Sequence, residues 1–194
     1  MTKIAVILTQ GFADWEYALI AGTGSPYFGM QVEFFSPQAG TVRSMGGLSA
    51  VVSRKLDEIR AFEPTVIVVV GGTNWEADQA PDVADLLRAN HQRGVVVAGI
   101  CGGTLALARA GLLNEVAHTS NNAEFLQQNV KSYTGAEHFH QTSAAVADQN
   151  IITAPGTAPV SFTAAVFQAA GLNEEAIAQF NGMLSAEHKE PAIA

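Results

Sequence analysis

Three stretches of the chain are continuous apolar runs rich in β-branched residues: Ile4–Leu8, Val66–Val70 and Val95–Val97. Such runs predict strands buried on both faces. Val32–Phe35 predicts another strand. Ala144–Val146 and Ile151–Thr153 predict two more, joined through the turn Asp148-Gln149-Asn150. Between the strands the pattern changes to a helical period. Asp14 is placed to cap a helix holding Trp15, Glu16, Leu19 and Ile20, which stops near Gly22–Pro26. Val83–Gln92 is amphipathic, introduced by Pro81 and ended by Gly94. Leu105, Leu107, Ala108 and Leu112 continue a helix after Gly102-Gly103, with Gly111 to terminate it. Asn122–Gln128, Val160–Ala170 and Glu174–Leu184 predict further helices, and Leu56–Ile59 a short helical turn. Thr41–Val52 carries short β-prone pieces around Gly46-Gly47, as in a hairpin. Strands alternating with helices predict an α/β fold, a three-layer sandwich with a mainly parallel sheet.

Composition narrows the class. The 194 residues suit one domain, 1–194, and a chain that is 48% hydrophobic and 14% charged is globular. A net charge of −8 argues against nonspecific nucleic-acid or anionic-membrane partners. One cysteine allows no intrachain disulfide, which fits a reducing compartment. The first apolar run, KIAVILT, is too short for a signal core or a membrane span. The expected location is the cytoplasm.

The candidate chemistry centres on Cys101, the single cysteine. It lies on a tight turn between the Val95–Val97 strand and the helix that follows Gly102-Gly103. Such a turn presents its side chain at the carboxyl end of the sheet, where open α/β folds bind ligands. The helix N-terminus favours thiolate there. Glu16 follows the first strand, and Gly71-Gly72 closes the third. In a parallel sheet these ends meet at one edge. A carboxyl near the thiol donates a hydrogen bond if protonated and repels a thiolate if ionised; the bland alternative for Glu16 is a solvated first-turn acid. Backbone N–H groups of Gly71, Gly72 and Gly102 are candidate oxyanion donors. His118 is the candidate third catalytic residue beside Cys101 and Glu16. Neighbours on an extended segment face opposite ways, so the alternative turns His118 away and Thr119 inward. His138 and His140 would share one face if extended, but no further ligand is evident, so a surface or interface role is expected and no metal is assigned. No cofactor motif is found. His188-Lys-Glu190 imitates the end of a catalytic triad but falls in a polar tail.

These motifs carry a resemblance. Gly11-Phe-Ala-Asp-Trp-Glu16, Val68-Val-Val-Gly-Gly72, Ala98-Gly-Ile-Cys-Gly-Gly103, Ala110-Gly-Leu-Leu113 and Ile151-Ile-Thr-Ala-Pro-Gly-Thr157 together resemble the ThiJ/PfpI superfamily, the DJ-one family. The resemblance implies the class I glutamine-amidotransferase-like (flavodoxin-like) fold, a homodimer and a small cleft at Cys101. Peptidase-like members and many glyoxalase-like ones carry His directly after the nucleophile; here that position is Gly102. Two functional classes follow. One is a cysteine-dependent hydrolase or lyase acting on a small-molecule substrate, a carbonyl, amide or related electrophile. The other is a non-enzymatic, cysteine-based oxidative-stress sensor or chaperone-like protein.

Overall fold

The computed structural model describes residues 1–189. In chain order the elements are β1 (Lys3–Ile7), α1 (Asp14–Phe28), β2 (Gln31–Ser36), β3 (Gly40–Arg43), β4 (Ser49–Val52), β5 (Arg54–Lys55), α2 (Ile59–Phe62), β6 (Val66–Val69), α3 (Ala84–Gln92), β7 (Val96–Ile100), α4 (Gly103–Arg109), α5 (Ala123–Asn129), β8 (Val146–Asp148), β9 (Ile151–Ala154), α6 (Pro159–Ala169) and α7 (Glu174–Ser185). Seven strands form one sheet in the order β5-β2-β1-β6-β7-β9-β8. All neighbours pair in parallel except β8, which returns antiparallel to β9. Gln149 and Asn150, both at positive φ, turn that hairpin.

The apolar runs are continuous because each strand is covered twice. Ile4, Val6, Val66, Val68, Val96 and Ala98 pack on one face with Ile20, Phe162, Phe167 and Phe180 from α1, α6 and α7. Ala5, Ile7, Ile67, Val69 and Val97 pack on the other with Ile59, Leu87, Leu105 and Leu126 from α2 to α5. Successive residues of a strand serve opposite cores. The result is the three-layer sandwich with a mainly parallel sheet that the apolar pattern predicts. No helix among the described residues is long and apolar enough to cross a membrane.

Several local expectations need correcting. Helix α1 runs past Gly22 and Pro26 to Gly29, which caps it at φ 63°. Gly24 explains the extension, because a side chain there would press on Phe167 and Val32. The close approach of α1 to α6 outweighs the breaker residues. Asp14 is the first residue of α1 rather than its cap. Its carboxylate accepts from the Gly46 N–H at 2.8 Å, tying α1 to the turn between β3 and β4. Hydrogen bonds from Ser44 and Gly46 hold that carboxyl below its ordinary range. Asn122 is a true cap: its side chain accepts from the Phe125 N–H, and α5 starts one residue later than expected.

Candidate functional site

The elbow forms because three central strands end together. β7 lies between β6 and β9, and Ile100 pairs with Ala154. At Cys101 the backbone switches to φ 54°, a left-handed conformation that is strained for a residue with a side chain. The Cys101 N–H donates to Ala154 O at 2.9 Å, and Thr104 Oγ1 donates to Cys101 O at 2.6 Å. These bonds, with the packing of α4, hold the turn. The side chain is half-buried.

Glycines make the surrounding space. A Cβ on Gly71 would lie 2.6 Å from Glu16 Oε2 and 2.8 Å from Cys101 Cβ. A Cβ on Gly156 would lie 2.9 Å from the Cys101 sulfur and 3.3 Å from Glu16 Oε1. The sulfur and the carboxyl therefore share one small space, walled by two peptides. Gly156→Ala is expected to crowd that space while leaving the core intact. Alkylation of Cys101 by iodoacetamide should slow at least about tenfold, with little change in unfolding midpoint. Wild-type alkylation rates in the variant would refute this arrangement.

Glu16 is 1% exposed, so the solvated first-turn reading does not hold. The third residue of α1, it points into the sheet edge. Oε2 accepts from the Gly71 N–H at 2.6 Å. Oε1 is buried with no N–H or hydroxyl donor, and the neighbouring ionisable group is the Cys101 thiol. Burial pushes the carboxyl up to about 7 despite the Gly71 bond. Burial, then the Glu16 charge, push the thiol up to about 11, against hydrogen bonds from Asn121 and Gly102. The expected lowering of the thiol by the helix N-terminus does not prevail, because burial and then the Glu16 charge outweigh it. Between those two values the pair holds a single proton, and removing it means placing two anions in one buried space.

The oxyanion candidates also change. The Gly71 N–H is committed to Glu16 and is not available to a ligand. Gly102 packs on Gly72: a Cβ on Gly102 would lie 3.0 Å from Gly72 O and 3.3 Å from Gly72 N. The Gly102 N–H is itself a donor to the Cys101 sulfur, so of the three the Gly72 N–H remains as the backbone candidate. Trp75, fully buried behind this turn, donates through Nε1 to Val70 O at 2.8 Å and holds the end of β6.

His118 is fully buried. Its Nδ1 pairs with Val116 O at 2.8 Å and its Nε2 with Tyr133 Oη at 2.7 Å. Phe139 and Tyr133 meet the ring edge-on. With both nitrogens engaged there, the imidazole offers no hydrogen bond to Cys101. Thr119 also serves structure, its N–H donating to Thr153 Oγ1 at 2.8 Å. The side chain that reaches the sulfur is Asn121, whose Nδ2 donates to it at 3.4 Å. Asn121 escaped the sequence reading, which searched that segment for a base. Gly156 lies inside the recognised Ile151–Thr157 motif, but nothing local marks it as a wall of the site. His138 ends a short 3-10 turn and Phe139 is extended, forming a parallel bridge with His118; the His138 carbonyl and the His140 N–H bond to the His118 backbone on either side. His188 lies in another 3-10 turn, while Glu190 is outside the described residues.

A surface depression of about 280 Å³ borders the site, lined by Asn121, Gln141, Thr142, Ser143, Pro155 and Thr157. A larger groove of about 570 Å³, along α6 and α7, does not include Cys101. Its size does not make it the reactive centre, because no group in it pairs a nucleophile with an acid.

The comparisons with known proteins agree with this fold. The DJ-1/PfpI family model matches residues 2–169. The uncharacterized protease YoaZ of Bacillus subtilis is 32% identical over 173 residues, 86% of this chain and 82% of that protein. The crystal structure of the DJ-1 superfamily protein Atu0886 from Agrobacterium tumefaciens is 36% identical, with a TM-score of 0.90 over 97% of this chain and 100% of that one. A thiJ/pfpI family protein from Bacillus anthracis is 27% identical, with a TM-score of 0.84 over 96% of this chain and 91% of that one. With its strained cysteine elbow and the buried acid beside it, the chain belongs to the DJ-1/PfpI family.

Proposed function

We propose that the protein is a cysteine-dependent enzyme of hydrolase or lyase type, acting on a small carbonyl, amide or related electrophile. The observation that carries this reading is the Glu16–Cys101 pair, a buried carboxyl with a value near 7 beside a half-buried thiol on a strained elbow. A base poised near neutrality is suited to proton transfer. Glu16 as carboxylate takes the thiol proton while the sulfur attacks the electrophilic carbon. The sulfur–carbon bond forms, and the carbonyl π pair moves onto oxygen. Glu16 then gives the proton to that oxygen, or to the departing nitrogen of an amide. The Gly72 N–H is the backbone donor assigned to the developing charge.

Two features favour small molecules over polypeptides. The space at the sulfur is narrow, since a Cβ on Gly71 would meet Glu16 Oε2 at 2.6 Å and one on Gly156 the Cys101 sulfur at 2.9 Å. His118, the imidazole considered for this role, is engaged by Val116 and Tyr133, so Glu16 serves both the attack and the leaving group. The protease names belong to the relatives, and they fit a hydrolytic cysteine without fixing its substrate.

The test is a turnover screen with methylglyoxal, glutamine, p-nitroanilide peptides and an isonitrile. Turnover of a small electrophile that Cys101→Ser abolishes is the expected result. No turnover of any of them, together with a single clean peroxide adduct on Cys101, would instead favour the oxidation-sensor reading.

A further inference from the structure

We propose that Asn121 is a further catalytic residue: its side-chain amide holds the Cys101 sulfur as the nucleophile and fixes the peptide that walls it. The proposal rests on the reading of Cys101 as a nucleophile, but not on any particular substrate.

The segment 118–121 is clamped residue by residue. His118 is held by Val116 and Tyr133, and the Thr119 N–H by Thr153. Ser120 Oγ lies 2.7 Å from Thr104 Oγ1, which also donates to Cys101 O. The segment is thus registered to the elbow before its last residue, Asn121, reaches the sulfur. Asn121 then uses both ends of its amide. Nδ2 donates to Cys101 Sγ at 3.4 Å, and Oδ1 accepts from the Gly156 N–H at 3.0 Å. The Gly156 carbonyl accepts from Trp15 Nε1 at 2.9 Å. Gly156 is therefore held at both ends, and its α-carbon is the one whose Cβ would meet the sulfur.

The chemistry follows from the amide. The Asn121 –NH₂ group donates and never accepts, so its bond strengthens as charge builds on sulfur. The buried Glu16 charge opposes that same change. An amide counters it without adding a second titrating group, so the pair keeps one base. An imidazole here would add one.

Two variants separate holding the sulfur from holding Gly156. Asn121→Asp keeps an oxygen for the Gly156 N–H, removes the donor to sulfur and sets a second negative charge beside it, so its thiolate should form at still higher pH than in Asn121→Ala. Asn121→Ala removes both the oxygen and the donor. Thiolate formation followed by ultraviolet absorbance, and alkylation by iodoacetamide at about pH 8, report the sulfur directly. Both variants should form thiolate only at higher pH and alkylate about tenfold more slowly than wild type, as expected for losing a hydrogen bond to a charged group. Near-ultraviolet circular dichroism checks that both fold. If Asn121→Asp behaves as wild type and only Asn121→Ala is slowed, Asn121 is a strut for Gly156 and the proposal fails. It fails equally if neither curve moves. Neither readout uses a natural substrate, so an empty turnover screen would count against the proposed function and leave this result standing.

Discussion

Glu16→Gln is expected to make the protein more stable and less active as an enzyme at the same time. The folded carboxyl sits near 7 against an ordinary value of 4.5. Below the lower value both folded and unfolded chains carry the proton. Between the two, the unfolded chain has released it and the folded chain has kept it, so stability falls as pH rises. Above about 7 the whole cost is in place, on the order of 3 kcal/mol. Glutamine is nearly the same shape. Its carbonyl oxygen still accepts from Gly71, and it never has to bury a charge. Urea unfolding should therefore show Glu16→Gln more stable than wild type by about 3 kcal/mol at about pH 8, and by under about 1 kcal/mol at about pH 5. Any turnover found should fall at least about a hundredfold, because glutamine cannot take the thiol proton. A residue that costs stability where it sits fits a role in chemistry. Equal stability of the two proteins at both pH values would mean that Glu16 is not held as a buried, raised carboxyl.

Gly103→Ala should have the largest structural effect. Gly103 begins α4 directly after the elbow, and a Cβ there would press into the Val69 backbone, 2.9 Å from its carbonyl carbon and closer still to its oxygen. Neither strand β6 nor helix α4 can yield, because both are central and every residue but Arg109 is buried. A loss of about 3 kcal/mol or more is expected, enough to threaten folding. Gly182→Ala is the contrast. Gly182 is exposed on α7 with open space around it, so alanine should stabilise by roughly 0.5–1 kcal/mol through helix propensity alone. Similar losses in both variants would deny the close strand–helix contact behind the elbow.

The elbow was legible because its requirements are local. A β-branched run, a cysteine and two glycines specify a buried strand and a tight turn into a helix. The layers were legible for a similar reason, since a strand buried on both faces leaves no polar alternation. Glu16 was legible as a candidate, but its burial was not, because a first-turn acid looks the same in sequence whether it faces solvent or a neighbouring strand. The fate of the Gly71 N–H depends on that burial and so was hidden with it. His118 and Asn121 show a further limit. Alternation along 118–121 raised the possibility that His118 points away. It could not reveal that Tyr133, fifteen residues on, takes the imidazole, or that an amide rather than a base reaches the sulfur. Helix α1 continues through Pro26 because Gly24 packs against Phe167, a contact between residues far apart in the chain.

The central claim is that Glu16 and Cys101 share one buried space and compete for one proton. The most direct test is the ultraviolet thiolate absorbance against pH, in wild type and in Glu16→Gln. The wild-type curve should rise late, towards about 11, because the Glu16 charge opposes a second anion. With glutamine in place that charge is gone and an N–H donor faces the sulfur, so the curve should move to clearly lower pH. Two curves that coincide would show that the carboxyl and the thiol are not coupled, and the account of the site would be wrong.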